Sequence, residues 1–379
     1  MPATVAIIRC DSYDESSVFD AVGRALELLG GAERFVRDGE RIVLKPNFLV
    51  GATPDKVVNT HPMVFSAAAR HLQAASAKLS YGDSPGFGNA LAAARKIGIA
   101  QVAETLGVTY ADFSEGRQVS FAEGELIKQF TIASAVLDSD GLVTLPKLKT
   151  HALTRMTGAV KNQFGCIPGM LKGEFHMRMP DVDRFAQMLV DLNRLLRPRL
   201  AIVDGIVGMQ GNGPRGGDPR QIGAIIVSDD LVAVDATVCR IMNLDTALVG
   251  TVTYGTAWGL GDADDITYVG DPIEEFVVAD YDVNRSPQST TGSTGGGTLA
   301  KRLIVPRPVI DPTKCTACGT CVSVCPVDPK AVDWANGKGV PPVHDYGRCI
   351  RCYCCQELCP ERAIDVRVPP LGRFLHARQ

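Results

Sequence analysis

Two cysteine runs toward the C-terminal end constrain this chain more than any other stretch. One reads CTACGTCVSVCP from Cys315, the other CIRCYCCQELCP from Cys349. Each sets cysteines at i, i+3, i+6 and i+10, with a proline directly after the fourth. A [4Fe–4S] cube has four iron corners, and each needs a thiolate. Three cysteines on a tight turn wrap three corners; the fourth, one helical turn on, faces the neighbouring cube. The spacing therefore predicts two cubes, one on Cys315, Cys318, Cys321 and Cys359, the other on Cys349, Cys352, Cys355 and Cys325. Zinc sites use isolated C-x2-C pairs rather than runs of four ending in Cys-Pro. A disulfide framework does not suit a 379-residue chain with no secretion signal. Cys354 is the ninth cysteine of the stretch and takes no ligand role.

The stretch over about residues 307–368 resembles the two-[4Fe–4S] ferredoxin module. It contains an internal repeat: DPTKC at 311–315 answers DYGRC at 345–349, and CPVDPKAVD answers CPERAID. The resemblance implies a small α+β domain at 307–379. Upstream, NRSPQSTTGSTGGGTLA (284–300) is polar and glycine-rich. A linker over 286–306, with a reach on the order of 20 Å, is expected there.

Charge separates the two parts. Residues 301–379 carry twelve Lys/Arg and seven Asp/Glu, so the remainder of a chain with 39 and 42 carries 27 and 35. The opposite signs favour docking of one part on the other, although two cubes with their thiolates bring the tail close to neutral. No basic stripe interleaved with aromatics marks a nucleic-acid binder. No stretch of about 20 apolar residues marks a membrane span. The expectation is a cytoplasmic protein, in a compartment that keeps thiols reduced.

Residues 1–285 alternate strand and helix patterns. Strands are expected at 4–9, 41–47, 78–84, 141–147, 199–209 and 222–228, and helices after Ser16 or Ser17 and at 62–75, 89–106, 153–164, 181–196 and 231–242. The class is α/β, with a largely parallel or mixed sheet and flanking helices. Ligands of such sheets bind beyond the carboxyl ends of strands. Four strand ends there are unusual: Lys45-Pro46-Asn47, the glycine loop 82–88 with Asp83 and Ser84, the basic run from Lys147, and Asp204-Gly205 running to Pro214.

Lys147, Lys149, His151, Arg155 and Lys161 gather cationic or titratable groups within one short segment. On a helix, Thr154, Thr157 and Lys161 would share one face. An anion site there competes with a solvated basic face. His151 is a candidate acid–base residue or a structural histidine. Asp83, Asp204 and Asp235 could bind a divalent metal together, though capping suits each of them better. Cys10, Cys166 and Cys239 are expected in the core.

The strings LPKLKTHALTRMTGAVKNQFGCIPG (145–169), YGDSPG (81–86) and VDGIVGMQGNGP (203–214) resemble the family called domain of unknown function 362, over most of residues 1–285. That family is often fused to two-cluster ferredoxin modules and has no assigned reaction. The resemblance points to Asn47, Asp83, Ser84, Lys147, Lys149, His151, Lys161, Asn162, Asp204 and Asp235 as its characteristic positions. The leading expectation is an iron–sulfur oxidoreductase. Asn47, Ser84, Lys147, Lys149, Lys161 and Asn162 would hold an anionic substrate or cofactor, and His151 or Asp83 would move protons. The alternatives are a non-catalytic electron-transfer module that docks a partner redox enzyme, and a non-redox enzyme acting on anions whose clusters are structural or sensory.

Overall fold

The computed structural model describes residues 2–169, 171–286, 305–335 and 337–369. The linker expected over 286–306 lies outside the described residues apart from its ends.

The first part is built on a 10-stranded mixed sheet. Its strands are β1 (Ala3–Arg9), β2 (Arg41–Pro46), β3 (Lys78–Tyr81), β4 (Thr109–Tyr110), β7 (Gly141–Leu145), β8 (Lys147–His151), β9 (Arg155–Met156), β10 (Leu200–Gln210), β11 (Asp218–Ser228) and β12 (Ile266–Gly270). The order is β12-β1-β11-β10-β7-β2-β3-β4, with β8 beside β10 and β9 beside β8. β11 runs antiparallel to both neighbours, whereas β10, β7, β2, β3 and β4 pair in parallel. A separate hairpin joins β5 (Gly116–Ser120) to β6 (Gln129–Ala133).

Alternation along the strands feeds two cores. Ile42 and Leu44 face one side with helices Glu15–Leu28 and Pro62–Ala74, while Val43 faces the other with Val182–Leu196 and Leu231–Ile241. The sheet is thus buried on both faces, as parallel pairing requires. Several helix starts follow from local chemistry. Pro62 sits in the first turn, where its missing N–H costs nothing, and Asp181 caps Val182–Leu196. Asp14, not Ser16 or Ser17, caps the first helix by accepting from the Ser17 N–H.

Two helices differ from expectation. The one at 89–106 is broken at Gly98, whose φ of 96° caps Ala90–Ile97 and starts Ile99–Thr105. The one at 153–164 does not form as such. Arg155 takes a φ of 71° and Gly158 one of 66°, both incompatible with a continuous helix. The chain instead turns back as β9 and only then forms a short helix, Gly158–Asn162, followed by a 3-10 turn over Gln163–Cys166. Thr154, Thr157 and Lys161 therefore do not share a helical face.

The tail pairs β13 (Arg307–Ile310) with β16 (Ile364–Arg367), and β14 (Val332–Asp333) with β15 (Val343–His344). One-turn helices at Thr320–Ser323 and Cys354–Glu357 each contain the third cysteine of their run, Cys321 and Cys355. The tail is seated on the first part through the loop after β10. Gln356 Nε2 donates to Asn212 Oδ1 (2.8 Å), Asn212 Nδ2 to Ile364 O (3.1 Å), and Arg215 Nη1 to Leu358 O (2.7 Å). The strand end running from Asp204 to Pro214 thus grips the tail rather than a small ligand.

Candidate functional site

The structure sorts the cysteines of the tail into two sets. Cys315, Cys318, Cys321 and Cys359 line one hollow, and Cys325, Cys349, Cys352 and Cys355 line another. All are free thiols. Backbone N–H groups point at three sulfurs, from Ala317 to Cys315, Ala331 to Cys325 and Ala363 to Cys359, each at 3.4 Å. Such donors suit thiolates around a cube. Ala317, Arg351 and Tyr353 all have left-handed backbones, which fold each run into a tight turn. Buried beside the second set, the Arg351 guanidinium has Nε, Nη1 and Nη2 without a hydrogen-bond partner among the described residues. A buried cation needs a nearby anion, and a thiolate-ligated cube is one. Both donor sets fit the group.

A cavity of about 140 Å³ lies where the tail meets the strand ends. The first part contributes Lys45, Asp83, Ser84, Lys161, Lys172 and His176; the tail contributes Ser323, Val324, Cys354, Glu357 and Leu358. Ser323 and Val324 precede Cys325, and Cys354 and Glu357 flank Cys355, so the cavity adjoins the second cysteine set; Leu358 directly precedes Cys359 of the first. Its floor is the buried pair of Lys45 Nζ and Asp83 Oδ1 at 2.8 Å. Asp83 also accepts from Phe48 N (2.7 Å) and Ser84 N (2.8 Å). A Cβ on Gly165 would stand 1.8 Å from Asp83 Oδ1, so only glycine fits that approach. Asn162 Oδ1 accepts from Asn47 Nδ2 at 2.8 Å and from Lys45 Nζ at 3.3 Å. Lys172 Nζ donates to Ser84 Oγ at 2.7 Å, and burial pushes its pKa down to about 8.

Lys161 makes no hydrogen bond or ion pair among the described residues. Burial lowers its pKa, opposed first by Glu357 and then by Cys354. Its ammonium is the cavity's unspent cation. Thr157 Oγ1 and His176 Nδ1, both on the wall, are buried without partners among the described residues.

The other sequence candidates lie elsewhere. Lys147 Nζ pairs with Asp204 Oδ2 (2.8 Å) and donates to Tyr13 OH (2.8 Å). Lys149 Nζ donates to Asn47 Oδ1 and Val58 O, both at 2.7 Å, and burial, helped by Lys161, lowers its pKa to about 7. Neither ammonium lines the cavity, because internal acceptors take the donors of both. His151 Nδ1 accepts from Leu153 N at 3.1 Å, so its proton sits on Nε2, which faces Glu357 at 3.6 Å. Burial, then Lys161, holds this imidazole neutral with a pKa of about 4. Burial opposes the Glu357 carboxylate, but His151, Lys161 and His176 outweigh it and hold the group below the usual carboxyl range. Asp235 accepts from Ala159 N and Val160 N and so caps the short helix. Asp83, Asp204 and Asp235 thus have separate structural partners and do not form a metal site together. Lys172, His176 and Glu357 were not singled out in the sequence, and Lys45 only as part of the unusual strand end Lys45-Pro46-Asn47.

His176 stacks on Phe185 with centroids 4.6 Å apart, and burial pushes its pKa down to about 4. Unfolded, it binds a proton near 6.5. The unfolded state therefore binds the extra proton between those values. The stability from keeping His176 neutral is complete above about 6.5 and is lost as pH falls toward 4. His176→Phe is expected to flatten the acid decline of the unfolding free energy, read from urea titrations, by up to about 1.4 kcal/mol per pH unit. Parallel pH profiles for the variant and the wild type would show that His176 is already charged in the fold.

An α/β sheet with a cysteine-rich tail closed over its strand ends defines an iron–sulfur protein, and the 4Fe-4S binding domain matches residues 308–329. The chain belongs to the family described as Domain of unknown function (DUF362), which matches residues 42–240. The thylakoid-associated protein sll1697 of Synechocystis sp. is 36% identical over 283 residues, covering 74% of this chain and 88% of that protein. Among solved structures, the lactate racemase apoprotein from Thermoanaerobacterium thermosaccharolyticum aligns with a TM-score of 0.41 and 13% identity, over 62% of this chain and 56% of that one. A protein from Thermotoga maritima aligns with a TM-score of 0.35 and 15% identity, over 59% of this chain and 57% of that one. The chain thus spans a little over half the length of these two solved chains. No helix among the described residues is long and apolar enough to cross a membrane.

Proposed function

We propose that the protein is an iron–sulfur oxidoreductase that reduces a compact anion held between its two parts. Residues 1–285 form the binding domain, 286–306 a linker, and 307–379 the module that holds two [4Fe–4S] clusters. The observation that carries this reading is one shared wall: Cys354 and Glu357, inside the second cysteine run, face the same cavity as Lys161 and Lys172. When bound, such clusters supply electrons one at a time. A low-potential redox partner protein would be the donor, and the reducing cytoplasm suits both.

Lys161 supplies the charge that the anion neutralises. A cavity of this volume is close to one that takes a benzene ring, so the buried part of the acceptor has on the order of six heavy atoms. Lys172, with a pKa of about 8, is placed to give a proton to the reduced acceptor and to recover it from solvent. That role passes to Lys172 because Asp83 is locked by Lys45 and two N–H groups, while His151 is neutral and turned to Glu357. A cavity holding a cation without a partner among the described residues favours a small ligand over a purely docking role for the first part.

Mass spectrometry of small molecules released from anaerobically purified protein tests the reading directly. A thermal-shift panel of inorganic phosphate and three- to six-carbon carboxylates extends it. Lys161→Ala is expected to weaken binding of the best anion by about 10- to 100-fold, the loss of one charge-assisted hydrogen bond, with iron content unchanged. Equal affinity in that variant would remove Lys161 from the site.

A further inference from the structure

Arg351 stands between ligand candidates Cys349 and Cys352, at the position where the first run has Ala317. It is 4% exposed, and none of its guanidinium nitrogens has a hydrogen-bond partner among the described residues. Its guanidinium carbon lies 5.1 Å from the Tyr346 ring centroid. That ring stacks on His344 at 5.7 Å and 4°, and His344 Nε2 lies 3.5 Å from Cys355 Sγ. One aromatic pair thus links the guanidinium to Cys355. No carboxylate pairs with it among the described residues. An unpaired buried guanidinium is strongly disfavoured unless an anion lies within reach. The first run has Ala317 at the corresponding place; a cation near that set comes from outside the run, Arg215, which donates to Leu358 O and feels the Cys359 and Cys318 thiols.

We propose that Arg351 is the built-in counter-charge of the cluster held by Cys325, Cys349, Cys352 and Cys355, and that it selectively raises the reduction potential of that cluster. The proposal rests on the two-cluster reading above. Reduction adds one negative charge to a thiolate-ligated cube. A fixed cation in a low-dielectric setting stabilises the reduced form more than the oxidised one. Arg351 thereby favours the reduced state of the cluster beside the cavity, next to the wall contributed by Cys354 and Glu357.

The test is a potentiometric titration of the full-length, anaerobically purified holoprotein with dithionite and mediators, followed by electron paramagnetic resonance. In Arg351→Gln one midpoint is expected to fall by at least 59 mV, a tenfold change in the one-electron equilibrium constant. The other midpoint and the iron content should stay as in the wild type. Arg351→Lys keeps the charge and should retain most of the wild-type midpoint. Two unchanged midpoints, or an equal fall in both, would overturn the proposal. If the glutamine variant loses iron, the lysine variant decides: a wild-type midpoint supports the counter-charge, and a lowered one overturns it. A single midpoint with about four iron atoms per chain would sink the two-cluster reading instead. The response of that one midpoint to Arg351→Gln would then judge Arg351 separately.

Discussion

Replacing Asp204 with alanine is expected to lower the unfolding free energy by about 3–5 kcal/mol, the usual cost of leaving a buried charge without its partner. Asp204 is fully buried at the centre of a closed network. One carboxylate oxygen accepts from Tyr13 OH at 2.7 Å; the other accepts from His61 N at 2.9 Å and pairs with Lys147 at 2.8 Å. Tyr13 in turn stacks on His61 with centroids 3.7 Å apart. Alanine would strand an ammonium that is 1% exposed and leave an O–H and an N–H unsatisfied. Urea midpoints at constant m-value measure the effect. The double replacement Asp204→Leu with Lys147→Met should recover a large share of the loss, since neither charge is then left alone. A cost below about 1 kcal/mol for the single change would mean that water replaces the carboxylate.

The second large effect concerns iron. The wild-type protein is expected to carry about eight iron and eight sulfide per chain, and Cys349→Ala about half of each. Cys349 lines the second hollow, while the four cysteines of the first are untouched by the change. Cys354→Ala should leave the iron count unaltered, because Cys354 lines the cavity rather than either hollow. Four iron atoms in the wild type, or a Cys354→Ala variant that loses iron as Cys349→Ala does, would sink the assignment of ligands.

Several features were readable in the sequence because their causes are local. The cysteine spacing sorted the thiols into the two sets that line the hollows. The strand expected at 41–47 and the helix expected at 181–196 lie close to the observed Arg41–Pro46 and Val182–Leu196. The segment after His151 was misread because helical periodicity does not reveal a left-handed backbone at Arg155. The charges were harder still. Lys147 and Lys149 end a buried strand, as a ligand site would require, yet acceptors from distant segments take their donors. Lys161 joins Lys172, His176 and Glu357 only through tertiary packing, and Glu357 was hidden inside a stretch already explained by its cysteines.

The seat of the tail also carries a consequence for supply. Two one-turn helices, Thr320–Ser323 and Cys354–Glu357, hold part of the cavity wall, and each contains or adjoins ligand cysteines. Segments that short do not hold their shape alone. Metal that stabilises these turns therefore also stabilises the wall, and by linkage a bound anion must tighten the hold on iron to the same degree. If an anion binds as proposed, it and the iron act as mutual reporters, and a cell short of iron would forfeit the binding site, not only the electrons.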